Sequence, residues 1–301
     1  MKQQFTIQAI SGCIIKYGGY IEYSIDNGNK WCILDKLFLP AGHEAQFRNA
    51  ESKSDDSFII EGYFNVYGHI STLAPYGTNV FMWLFYHTNV INASKLILDY
   101  DELWPLAYYC MFAACTSLTT VPSVLPATTL ADYCYSNMFS GCISLESAPE
   151  LPATTLNTSC YSLMFYQCIS LTSAPSVLPA MALAPSCYTY MFSGCTSLTR
   201  APELPATALA EKCYQYMFAG CTSLVTAPEL PATTLAPFCY GGMFYGCENL
   251  TAAPMLPAVK TMYKSYYEMF IGCKSLKKRP VMPKKVYLEA VTMAFLPKEL
   301  I

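Results

Sequence analysis

The sequence predicts an elongated α/β solenoid, with a short strand plus a short helix in each 26–27-residue repeat, preceded by a small antiparallel β domain. The first observation is internal repetition. Met-Phe recurs at Met111, Met138, Met164, Met191, Met217, Met243 and Met269, seven copies spaced 26 or 27 residues apart. A fixed period of that size marks supersecondary units that stack because none can bury its apolar face alone. The second is the contrasting text of the first hundred residues, which carry no such period. The third is composition: 53% of the 301 residues are apolar and 13% charged, which excludes disorder and calls for an extensive core.

Taken in order, residues 1–70 read as the β domain. Phe5–Ile10, Ile21–Ile25 and Phe58–Ile60 have strand character, and Asp26-Asn27-Gly28-Asn29 supplies a hairpin turn before Lys30–Leu34. Residues 71–105, with Trp83-Leu84-Phe85 and Leu96-Ile97-Leu98, form a connecting segment that caps the solenoid's first end. Residues 106–276 hold the repeats, and 277–301 a basic cap that begins Lys277-Lys278-Arg279-Pro280.

In the repeat Cys195–Gly220, Ser197–Ala201 is a brief extended segment stopped by Pro202. Its second half predicts a helix. Thr207 serves as N-cap, Leu209, Cys213 and Met217 recur at four-residue spacing, Tyr214 and Phe218 form the neighbouring row, and Gly220 fits the left-handed position after the last turn. The 27-residue repeats differ by one insertion in a proline loop, where Ala174-Pro175-Ser176-Val177-Leu178-Pro179 replaces Ala201-Pro202-Glu203-Leu204-Pro205.

The pattern Cys-x-Ser-Leu-x-x-Ala-Pro-x-Leu-Pro-Ala-Thr-Thr-Leu, followed by Cys-Tyr-x-x-Met-Phe-x-Gly-Cys, resembles the BspA-like leucine-rich repeats over about residues 105–285. Ala-Pro pairs such as Ala148-Pro149 stand at that family's usual Ile position, and Met-Phe replaces its Ala-Phe. This variant is similar to a subtype of gut anaerobes and their phages and mobile elements. The resemblance implies a leucine-rich-repeat solenoid and a non-catalytic surface adhesin or binding scaffold.

Net charge is −3, distributed as −2 over residues 1–100, −7 over 101–258 and +6 over 259–301. That balance argues against nucleic acid as a partner. No apolar run is long enough for a membrane span. The start, Met1–Gln8, lacks a secretory signal, so the expectation is a cytoplasmic or virion-associated protein, or a cell-surface one whose signal has been removed.

Fifteen cysteines include five Cys-x7-Cys pairs, from Cys134 with Cys142 to Cys239 with Cys247. Ala107 and Ser265 replace the first member in the terminal repeats. That interchange favours two ladders of buried thiols over disulfides or zinc, which stay open as alternatives. No cofactor or metal motif is present. His43, His69 and His87 lie outside the repeats, so no Ser-His-Asp or Cys-His arrangement can be built on the solenoid alone. The acidic pairs Asp55-Asp56 and Asp99/Asp101 read as solvated loop charges.

The positions that vary while the frame stays fixed line the strand face: Thr119, Thr120, Glu146, Ser147, Thr172, Ser173, Thr199, Arg200, Thr226, Thr251, Lys277 and Lys278. Tyr190, Tyr216 and Tyr245 add amphipathic surface, and the basic end cluster reads as a solvated cap. The sequence therefore predicts a non-enzymatic binding or adhesion protein that presents a rigid repeat face to a surface protein or glycan. Two alternatives stand beside it: a phage or mobile-element virion protein for host attachment, and an enzyme in the β domain with the repeats as substrate adaptor. Exposed edge strands of the β domain make oligomerisation plausible.

Overall fold

The computed structural model describes residues 2–51, 57–75, 77, 79–291 and 294–297. Among the described residues nine strands precede the repeats: β1 (Thr6–Ala9), β2 (Cys13–Tyr17), β3 (Tyr20–Ser24), β4 (Cys32–Ile33), β5 (Leu37–Leu39), β6 (Glu44–Glu51), β7 (Phe58–Glu61), β8 (Phe64–His69) and β9 (Val90–Ile97). They form a six-stranded sheet ordered β4-β3-β6-β1-β8-β9 and a three-stranded sheet ordered β5-β2-β7. Alternation decides the faces. In β8, Phe64 and Val66 point inward while Asn65 and Tyr67 are half-buried on the other side. The inner faces meet through aromatic rings, with Phe47 and Phe5 at 5.3 and 6.4 Å from Phe58 of the facing sheet.

The pairing is not antiparallel throughout, because β8 and β9 run parallel. The reason lies in the repeats. Asn92 of β9 forms a parallel bridge to Thr120, and the same column continues through Ser147–Ser173, Arg200–Thr226 and Thr226–Ala252. Successive coils of a solenoid are necessarily parallel, so the strand that joins the sheet to them runs in their sense. A second column bridges Val124–Glu150 and Val177–Glu203, and a third bridges Glu102–Thr129–Thr155.

The expected helix of each repeat is absent. Residues 211–220 are a run of overlapping turns, as is the equivalent stretch of every coil, and the one α-helix among the described residues is α1 (Lys284–Val291) near the end of the chain. Alternate amides take different partners. In the coil around Lys212, the amides of Cys213, Gln215, Met217 and Ala219 bond three residues back, whereas those of Lys212, Tyr214, Tyr216, Phe218 and Gly220 donate to carbonyls of the next coil. Every fourth residue, Lys212, Tyr216 and Gly220 here, has φ between 53° and 72°, as the third position of a type II turn requires. The apolar spacing that suggested a helix is therefore the four-residue period of paired turns, which differs from 3.6 too little to be distinguished across so short a segment. Backbone bonding that a helix would satisfy internally goes sideways instead and laces the coils together.

This spine stacks side chains in file. Phe112, Phe139, Phe165, Phe192, Phe218, Phe244 and Phe270 follow one another at 5.4–5.8 Å between ring centres. Tyr108, Tyr135, Tyr161, Tyr188, Tyr214, Tyr240 and Tyr266 do so at 5.6–5.9 Å. Residues 82–87 make an earlier run of the same turns, and its Phe85 stacks on Phe58 at 5.6 Å and on Phe112 at 5.3 Å. At the far end Phe295 closes on Phe270 at 5.4 Å. One hydrophobic core thus runs from the sheets to the last coil.

Candidate ligand-binding face

All twelve residues of the expected face are exposed. They are not equally free. Thr119, Thr172 and Thr251 donate both amide and hydroxyl to one carbonyl of the preceding coil, of Ile91, Glu146 and Val225 respectively, with hydroxyl distances of 3.1–3.3 Å. Those threonines fasten coils together. The bridge column Thr120, Ser147, Ser173, Arg200 and Thr226 lies beside them, its side chains in parallel register.

Between the first and second bridge columns the proline loops leave a groove of about 370 Å³. Arg200 and Thr226 open into it, with Glu203 and Glu229 beyond and Pro202, Pro205 and Pro231 forming rigid walls. Arg200, Glu203 and Glu229 make no ion pair among the described residues. Earlier in the rod the equivalent Glu150 is occupied: it accepts the amide and hydroxyl of Ser176 at 2.9–3.2 Å. Ser176 is the extra residue of the longer loop, since Val177 is the one that bridges Glu203. The coils that follow Glu203 and Glu229 have the shorter loop without that serine, so these two glutamates face the groove. Glu203 and Glu229 stand at the x of Ala-Pro-x-Leu-Pro and are not among the twelve residues expected from the sequence. Their column does vary, through Val124, Glu150, Val177, Glu203, Glu229 and Met255, which was the available signal.

The tyrosines sit on the turn spine. Tyr190 and Tyr216 stack at 5.0 Å, and Tyr245 meets Tyr216 edge-on at 6.4 Å. Gly242 permits this arrangement: a Cβ there would lie 2.1 Å from the Tyr216 ring. The Tyr216 hydroxyl donates across it to Glu268 at 3.2 Å, and burial first, then the Glu268 charge, pushes that phenol up to about 12.

The thiols are free and, apart from Cys32, buried. Cys142, Cys168, Cys195, Cys221, Cys247 and Cys273 each donate Sγ–H at 3.1 Å to the Phe carbonyl of the preceding coil. Burial pushes the Cys168 and Cys273 thiols up to about 12, far from a reactive thiolate. Among the described residues no cluster of three or more His, Cys, Asp or Glu is placed to hold a metal, and no helix is long and apolar enough to cross a membrane.

Of the histidines, His43 is exposed, with Nδ1 against the Ala41 carbonyl, and His87 packs edge-on against Tyr86. His69 lies 3.0 Å from Asp99, whose carboxylate also accepts from Lys2 and Ser71, both at 2.6 Å. Burial works to raise that carboxyl, but these donors outweigh it and hold it down to about 2. Ser71 donates to Asp99 rather than to His69, so the nucleophile-to-base hydrogen bond of a triad is not formed. Asp101 is exposed, and Asp55-Asp56 lies outside the described residues.

The family described as BspA type leucine-rich repeat region matches in six copies over residues 106–177 and 185–289, more than half of the chain. The chain belongs to that family. Its general role is binding or adhesion, and it is typically non-catalytic. A leucine-rich repeat protein from Bacteroides ovatus ATCC 8483 is similar at 17% identity over 70% of this chain and 68% of that one, with a TM-score of 0.24. No curated protein matches.

Proposed function

We propose that this BspA-type repeat protein is a non-catalytic binding protein. In this reading residues 1–70 are a β domain that attaches or orients the rod, 106–276 present the binding face, and 277–301 cap it. The observation that carries it is the groove at Arg200, Glu203, Thr226 and Glu229, where unpaired charges of both signs stand between proline walls. Alternating charge along a rigid channel suits an extended segment of a surface protein, and a preordered solenoid loses little entropy on binding it. Glycan is the second ligand class, favoured by the neighbouring hydroxyl column Thr120, Ser147 and Ser173.

The test is to probe a charged-peptide array and a glycan array with the full chain and with Arg200→Glu and Thr226→Glu. Both side chains are exposed, so melting temperature should not change. Peptide capture weakened about tenfold, or about 1.4 kcal/mol, in either variant supports the groove. Capture unaffected by both removes the binding site from this face.

A further inference from the structure

We propose that the outer face of the six-stranded sheet holds a second binding site, for a neutral sugar ring, in a pocket of about 310 Å³ formed by Gln8, Glu44, Asn65, Tyr67, Asn92 and Lys95. The residues come from four adjacent strands. Register places Glu44 opposite Gln8, Gln8 opposite Asn65, and Asn65 opposite Asn92, so their side chains share one face.

That face is ordered rather than simply solvated. Asn65 Nδ2 donates to Gln8 Oε1 at 3.0 Å, and Gln8 Nε2 passes the chain on to Glu44 Oε1 at 2.9 Å. Tyr67 is held between Glu44 and Thr6, and burial first, then Glu44, raises its phenol. Asn92 Oδ1 accepts the Ser94 amide at 2.7 Å, which fixes that side chain as well. Locking half-buried amides costs rotamer freedom and serves a purpose where a ligand must meet them preordered.

The unspent valences define the ligand. Asn92 keeps its amide donors, Asn65 its carbonyl oxygen and Lys95 its ammonium, which makes no ion pair among the described residues. A sugar hydroxyl both donates and accepts, so it needs such a mixed set; an apolar ligand would strand every one of these groups. Glu44 and Lys95 cancel, which disfavours a charged ligand. The volume is at the lower limit for small-ligand pockets and fits one ring rather than a chain, with Tyr67 as the aromatic wall.

Saturation-transfer NMR on the full chain with a panel of methyl hexopyranosides tests the site. Transfer to at least one neutral member is expected, weakened about tenfold in Glu44→Gln and in Lys95→Ala and unchanged in Arg200→Glu. Both altered side chains are exposed, so the fold is retained, and circular dichroism checks this. No transfer to any neutral member, transfer indifferent to both variants, or equal transfer to a methyl glucuronide would overturn the proposal. The pocket and the repeat groove share no residue, so failure here and failure of the groove are separate results.

Discussion

At the scale of single residues the core carries an unusual load of buried polar atoms. The hydroxyls of Tyr135, Tyr161 and Tyr188 are buried without a hydrogen-bond partner among the described residues. An unpaired buried hydroxyl costs about 1–3 kcal/mol, while its ring contributes packing that Phe keeps. Tyr161→Phe is therefore expected to raise stability by about 1 kcal/mol, read from urea midpoints; a lower midpoint would mean that the hydroxyl is bonded in solution. The thiols load the core differently. A cysteine ordinarily ionises near 9, but burial raises Cys160, Cys168 and Cys239 to about 12. Between those values the unfolded chain has lost protons that the folded one keeps, so stability is full below pH 9 and drains away as pH climbs toward 12. Each such thiol takes about 1.4 kcal/mol per pH unit in that window. Cys168→Ala should flatten the fall in urea midpoint between pH 9 and 11 by about that share, and an unchanged slope would show that other groups govern alkaline unfolding.

Within one coil, the element that matters is the turn spine, and it holds a conformation most side chains resist. Tyr133, Leu163, Lys212 and Phe238 all sit at positive φ, where a side chain costs roughly 1–2 kcal/mol relative to glycine. Inter-coil amide bonds and stacked rings sustain it. Tyr133 is exposed and its amide, donated to Thr158, survives substitution. Tyr133→Asn should therefore stabilise by about 0.5–1 kcal/mol, since Asn tolerates the left-handed region; a loss in thermal midpoint would show that the ring's packing outweighs the strain. The same positions explain what the sequence conceals. Gly141, Gly194, Gly220, Gly246 and Gly272 mark one left-handed position per coil, and a helix-ending glycine accounts for them equally well. The other two positions hold Leu, Tyr, Ser, Lys, Phe, Cys, Asn, Glu or, once, Gly, residues with no common turn signature, because the partner that enforces their φ is the neighbouring coil. The repeat period, the buried Met-Phe file and the exposed column needed only spacing to be read.

Across the whole molecule, the sheet and the rod share one hydrogen-bonded ladder from Glu44 through Gln8, Asn65 and Asn92 to Thr120 and the column beyond. Its rod half was legible because variation repeats at a fixed step. The sheet half was not, because Gln8, Glu44 and Asn65 become neighbours only through pairings that span up to 57 residues. The ladder also sets what can be removed. Excising residues 187–212, one 26-residue period, joins Ser186 to Cys213 and leaves every file in register, with Tyr161 above Tyr214 and Phe165 above Phe218. Solenoid stability is close to a sum of repeat and interface contributions, so the shortened chain should fold cooperatively with a lower melting temperature. It loses Arg200 and Glu203, half the repeat groove, while every residue of the sheet pocket remains. Capture of groove ligands should therefore fall while saturation transfer to a hexopyranoside persists. Loss of cooperative unfolding would show that the coils are not interchangeable units, and loss of both binding signals would show that the sheet depends on the full length of the rod.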